Sequence, residues 1–287
     1  MFLILSILCS TLIFIIFKYL SVYKVNTLQA IVVNYFTAGI FGYLNYKGSI
    51  SVSEIADSNW FYGALGLGFM FIAIFNVMAL TAQKSGLSVA SVASKMSVII
   101  PVIFGLFVYN EMLNFQKGLG ILLALIAVYL ASIKANASQN IKLKNFGLPI
   151  ILFLGSGIID TSIKYIETTY LPDNGIPIFS ATIFVFSAII GSALLIVKSV
   201  KNPINFSYRP VIGGILLGIV NYYSIYTVLK ALNAENFESS TIFTVNNVAI
   251  VMLSTLIGLI LFKEKLITKN WIGIGIAILS IVLVTFA

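Results

Sequence analysis

Long apolar runs, each near twenty residues and each closed by a short polar or glycine- and proline-bearing break, set the pattern of this chain. They fall at 2–21, 28–46, 60–82, 88–109, 115–134, 147–167, 177–198, 210–232, 239–262 and 270–286. About 20 mostly apolar residues cross a bilayer as a helix, so the pattern predicts ten membrane spans. A membrane barrel would instead show alternation over about ten residues. Pro149, Pro177 and Pro210 stand near predicted helix starts, where a missing N–H is harmless. Pro101 stands inside the fourth run, where it is expected to kink the helix and free a carbonyl at membrane depth. The fold class read from the pattern is an all-α polytopic membrane protein.

Composition agrees. The chain is 60% hydrophobic and 9% charged, with a mean hydropathy of +1.06, against roughly 45–50% apolar and about 25% charged for a soluble domain. It has no histidine and one cysteine, Cys9. That excludes a His/Cys metal site, a histidine base and an internal disulfide. Neither cofactor nor enzymatic activity is expected. The net charge of +8 lies mostly on loop lysines, not interleaved with exposed aromatics, so nucleic acid is not an expected partner.

Those lysines report orientation. The breaks after the odd-numbered runs hold eleven cations: Lys24, Lys84, Lys134, Lys142, Lys144, Lys198, Lys201, Arg209, Lys263, Lys265 and Lys269. The opposite breaks hold two, Lys47 and Lys117. By the positive-inside rule the lysine-rich loops are cytoplasmic and both termini outside. Sixteen lysines to one arginine, with abundant Ile and Asn, point to an AT-rich bacterial genome and hence to a bacterial cytoplasmic (inner) membrane. The first run lacks a cationic lead and a small-x-small cleavage site, so it reads as a span rather than a leader.

The halves of the chain resemble each other. At an offset of 153, Glu111, Leu113, Gly120 and Ala124 align with Glu264, Leu266, Gly273 and Ala277; at 146, Lys18-Tyr19 aligns with Lys164-Tyr165. Residues 1–134 and 147–287 are therefore expected to be two five-helix repeats joined by a cytoplasmic linker, 135–146. An odd number of spans inverts the second copy, and inverted repeats place a substrate site near the midplane.

The doubled motifs carry a resemblance. Each repeat has an Ala-Leu late in its third helix and closes with Glu-x-Leu before a Gly-x-Gly helix: Glu111-Met112-Leu113 with Gly118/Gly120, and Glu264-Lys265-Leu266 with Gly273/Gly275. With Ile100-Pro101-Val102 in the fourth helix, the whole chain resembles the ten-helix, EamA-type branch of the drug/metabolite transporter superfamily. The resemblance implies secondary transport of small metabolites, often amino acids. It also implies a cavity lined by the first, third, fourth, sixth, eighth and ninth helices. The four-helix multidrug members bind cations with a Glu in the first helix; this chain has Lys18 there, which argues against polycation efflux.

An ionisable group inside a span is a functional candidate by default. Lys95 is the sharpest case, with Ser91 and Ser94 on its helical face and Ser88 a turn earlier, a hydroxyl stripe ending in an ammonium. Asp160 is the acid well inside a span, with Lys164 at i+4 and Lys18 as the repeat mate of Lys164. These three are candidates for coupling or charge balance: Asp160 pairs with a lysine or takes up a coupling proton. Asn34, Asn76, Tyr222, Tyr226, Asn246 and Asn247 complete the candidate substrate contacts. Glu111 and Glu264 read as repeat architecture at helix junctions, and the glycine groups Gly63/Gly66/Gly68 and Gly213/Gly214/Gly218 as helix packing.

The expected function is alternating-access export of an amino acid or other carboxylate-bearing solute. Lys95 grips the anion, and protons are the candidate coupling ion. Membrane lipid is the other expected partner, and the expected assembly is a monomer or homodimer. The alternatives are a carrier of uncharged or cationic compounds with Lys95 in a structural ion pair, and a non-transporting lipid-handling protein.

Overall fold

The computed structural model describes residues 1–46, 48, 52–108, 114–131, 133, 146–171, 175–201, 207–234 and 239–286. These form twelve helices and no strand: α1 (Phe2–Val22), α2 (Thr27–Asn45), α3 (Val52–Ala56), α4 (Phe61–Lys84), α5 (Leu87–Met96), α6 (Ile99–Val108), α7 (Phe115–Ala131), α8 (Gly147–Tyr170), α9 (Ile176–Lys201), α10 (Tyr208–Ala234), α11 (Ser239–Phe262) and α12 (Thr268–Thr285). Among the described residues, eight spans are long and apolar enough to cross a membrane, one of them running from Leu87 to Gly105 through α5 and α6. The segments Gly118–Ala131 and Thr268–Leu283 are shorter apolar helices. The chain is an all-helical polytopic membrane protein. Glu111, Lys47 and the linker 135–145 lie outside the described residues.

Two differences from the apolar pattern have physical causes. Helix α3, in a polar stretch, is too short to span. The fourth run is interrupted at Ser97–Val98, where Pro101 offers no N–H to the Ser97 carbonyl, which accepts the Ile100 N–H at 2.9 Å instead. Pro101 thus becomes the third residue of α6, among the first four positions whose N–H has no partner within the helix. Pro149, Pro177 and Pro210 sit in the same way at the second or third positions of α8, α9 and α10.

The chain divides into two compact units whose boundaries fall inside α1, α4, α8 and α10, so each unit draws on both halves of the sequence. Unit 1 holds Met1–Lys18, Val77–Ile158 and Tyr223–Ala287. Here α12 packs on α7, and α5 packs on α7, α11 and α12. Small residues let these helices approach closely: Ala124, Ala127, Ala131 and Ala277 are buried with Val92, Met96 and Ile99. A Cβ on Gly273 would lie 2.7 Å from the backbone nitrogen of Ala131. Ser280 Oγ donates to the Gly120 carbonyl at 2.7 Å. Asn270, buried near the start of α12, donates to the carbonyls of Leu130, Ala131 and Ile133 at the end of α7 and accepts the N–H of Ile267. This amide thus ties the start of α12 to the carbonyls around the end of α7.

Unit 2 holds Tyr19–Asn76 and Ile159–Tyr222. Helix α2 packs on α9, with Gly39 and Gly42 against Val185 and Ala181. Helix α10 meets α2 through Gly214-x-x-x-Gly218, where added Cβ atoms would lie 2.5 and 2.6 Å from the carbonyls of Ala30 and Asn34. The glycine groups therefore pack helices as expected, Gly66 excepted, which has open space beside it. Tyr35 is fully buried and donates to the Phe71 carbonyl at 2.9 Å.

Candidate functional site

Helix α5 opens on Gly86, whose φ of +110° suits glycine and whose lack of a side chain leaves the first N–H groups without a local cap. The cap comes from Glu264, in the turn after α11. Its Oε1 accepts the Leu87 N–H at 2.7 Å, and Ser88 Oγ donates to its Oε2 at 3.4 Å. Lys18 Nζ stands 3.8 Å from Oε1, the two side chains being 20% and 11% exposed. The same ammonium donates to the carbonyls of Ala82 and Gln83 near the end of α4, each at 3.4 Å. Gln83 in turn donates to the Phe17 carbonyl.

The charges alternate along this path: carbonyl end of α4, ammonium, carboxylate, N–H end of α5. Each lies where the helix dipoles favour it. Two glycines make the carboxylate's room, since a Cβ on Gly86 or Gly258 would lie 2.9 or 2.6 Å from Oε2. Lys263, at a φ of +50°, turns the chain so that the Glu264 N–H returns to the Gly258 carbonyl at 3.0 Å.

From this anchored start α5 runs ten residues and stops at the break. Lys95 lies in its last turn, half-buried, with Ser94 beside it. Part of the hydroxyl stripe is engaged within the protein. Ser88 faces Glu264, and the buried Ser91 donates back to the Ser88 carbonyl at 3.1 Å. The break brings the N-terminus of α6 within four residues of Lys95.

Helix α11, which packs on α5, carries Asn246 and Asn247. Asn246 is 6% exposed, and its Oδ1 accepts no hydrogen bond among the described residues. A buried acceptor without a donor costs about 1–3 kcal/mol, so this position calls for a donor group. Tyr226, also in unit 1, meets Tyr223 edge-on and lies beneath the Lys230 ammonium, 5.8 Å from the ring centroid.

The remaining candidates lie in unit 2. Asn34 is fully buried and accepts from Asn221 at 3.3 Å, tying α2 to α10. Tyr222 packs on Phe41. Asn76 turns its amide back onto the Ile72 carbonyl at 2.7 Å. Asp160 and Lys164 both stand on exposed positions of α8.

The helix pairing thus groups Lys95, Ser91 and Ser94 with Asn246 and Asn247. Within unit 1, Lys18 meets Glu264. Glu264, read from its duplication as repeat architecture, caps α5; no local pattern in the sequence places it against residue 87.

Comparison with known proteins bears on this geometry. Residues 1–133, which include α5 and its break, match the EamA-like transporter family. Over that stretch the chain is similar to the family. An uncharacterized protein of Haemophilus influenzae is 28% identical over 277 residues, covering 95% of this chain and 93% of its own. A crystal structure is similar over 98% of this chain and 97% of its own, with a TM-score of 0.57 at 13% identity, a likeness of fold alone.

Proposed function

We propose that the chain is a secondary transporter that exports a small metabolite bearing a carboxylate or other anionic group across a bacterial cytoplasmic membrane. The observation that carries this reading is the broken fourth span, with Lys95 in the last turn before the break. Interrupted membrane helices recur in transporters because half-helix N-termini favour anionic substrate groups at membrane depth. Lys95 supplies a full positive charge at that point. The acceptor of Asn246 on the packed neighbour α11 suits a donor on the same solute, such as an ammonium or hydroxyl.

Alternating access between inverted repeats is the proposed mechanism. It is supported by the packing of α2 on α9 and of α7 on α12, each a pairing of helices at matching places in the two sequence halves. The Lys18–Glu264 network ties the ends of α1, α4 and α11 to the start of α5, all on the lysine-rich side. In this reading it latches that side, and its release moves α5. Reconstitution into proteoliposomes tests the proposal: a Lys95→Ala variant is expected to lose at least about tenfold in flux of a carboxylate-bearing solute, the loss of about 1.4 kcal/mol. Flux at the wild-type rate would exclude Lys95 as the anion site.

A further inference from the structure

A groove of about 550 Å³ lies wholly within unit 2, walled by Leu28 of α2, by Phe69, Ile72 and Ala73 of α4, and by Leu194 and Val197 of α9. That volume lies in the usual range for a bound small molecule. Phe69, Leu194 and Val197 are exposed although each lies in a membrane-spanning helix. The walls therefore suit hydrocarbon. Asn76 also borders the groove but turns its amide onto its own helix.

One end is different. Lys198, exposed and close to the end of α9, lines the same groove. Lys24 lies in the turn four residues before Leu28, on the same lysine-rich side of the chain. An occupant must be apolar along its length and anionic at its lysine end. In a bilayer the molecule of that description is an anionic phospholipid. Its acyl chain would remove the apolar wall from contact with other solvent, and Lys198 would meet its phosphate.

We propose that this groove binds one anionic phospholipid of the leaflet on the lysine-rich side, with its acyl chain between α4 and α9 and its phosphate at Lys198. The proposal does not depend on the transport reading, because the groove shares neither Lys95 nor Glu264 with it.

Native mass spectrometry of the purified full-length chain, with phosphatidylglycerol and phosphatidylcholine in equal amounts, tests it. The wild-type protein is expected to retain phosphatidylglycerol in preference. Lys198→Gln should reduce that preference about fivefold, the equivalent of about 1 kcal/mol for one surface lysine. Ala73→Trp, which fills the groove, should reduce retention of the lipid while leaving the helical content unchanged. Lys265→Gln, on the same side but outside the groove, should leave the preference intact. An undiminished preference in Lys198→Gln, or an equal fall in Lys265→Gln, would overturn the proposal. So would displacement of phosphatidylglycerol by inorganic phosphate alone, which would mark a free-anion site.

Discussion

Glu264 holds a negative charge where a helix begins, beside a cation held where another helix ends. Removing either partner leaves the other in a mostly buried position without its counter-charge. Glu264→Gln keeps the shape but loses the charge-assisted bond to Leu87, a difference of about 1–3 kcal/mol. The melting temperature in detergent is expected to fall by several degrees, at roughly 2–4 °C per kcal/mol. Gly258→Ala should act in the same direction, because its new Cβ would occupy the space of Oε2. A thermal melt of each variant checks both, and unchanged midpoints would count against the network. Asn270→Ala is expected to be as damaging as Glu264→Gln, since its amide holds the carbonyls of Leu130, Ala131 and Ile133; its melt measures that directly.

Among elements, α5 is the one that links structure to the proposed activity. Its start is fixed by a residue 177 positions away, and its end carries Lys95 beside a break. Pro101→Ala should restore a backbone donor in the first turn of α6 and favour a straighter fourth span. Transport is expected to fall with little change in the thermal midpoint. A fall in midpoint with flux unchanged would contradict the role given to the break. On unit 2, Gly218→Leu should separate α10 from α2, since even a Cβ meets the Asn34 carbonyl; overpacking of this kind typically costs about 1–3 kcal/mol, readable as a lower midpoint.

Much of this level was legible in the sequence. The ten apolar runs correspond to eight long spans and two shorter apolar helices, and the Gly214/Gly218 spacing announced a close helix contact. Pro101 also marked the interruption, which falls in the turn before it. The Lys18–Glu264 pair was not legible, because side chains that meet from distant segments leave no local periodicity. Of the hydroxyl stripe, Ser88 and Ser91 make hydrogen bonds within unit 1.

For the molecule as a whole, the composition that excludes a soluble fold also restricts where function can lie. With 9% of residues charged, most of them on loops, the few within spans stand out. The structure divides those few: Lys18 joins a network with Glu264, Asp160 and Lys164 stand exposed on α8, and Lys95 occupies a broken helix packed on α11. The orientation drawn from loop lysines is separately testable. On a Cys9→Ser background, single cysteines replacing Lys84 or Lys265 should react with a membrane-impermeant maleimide only after the cells are opened.

The central claim is an anion site at Lys95, and it is tested most directly by counterflow in proteoliposomes. Vesicles loaded with a panel of amino acids and other carboxylates would be assayed with the wild-type chain, Lys95→Ala and Lys95→Arg. The account predicts exchange of at least one carboxylate-bearing solute by the wild type, its loss in Lys95→Ala and partial retention in Lys95→Arg. Equal exchange by wild type and Lys95→Ala would contradict it.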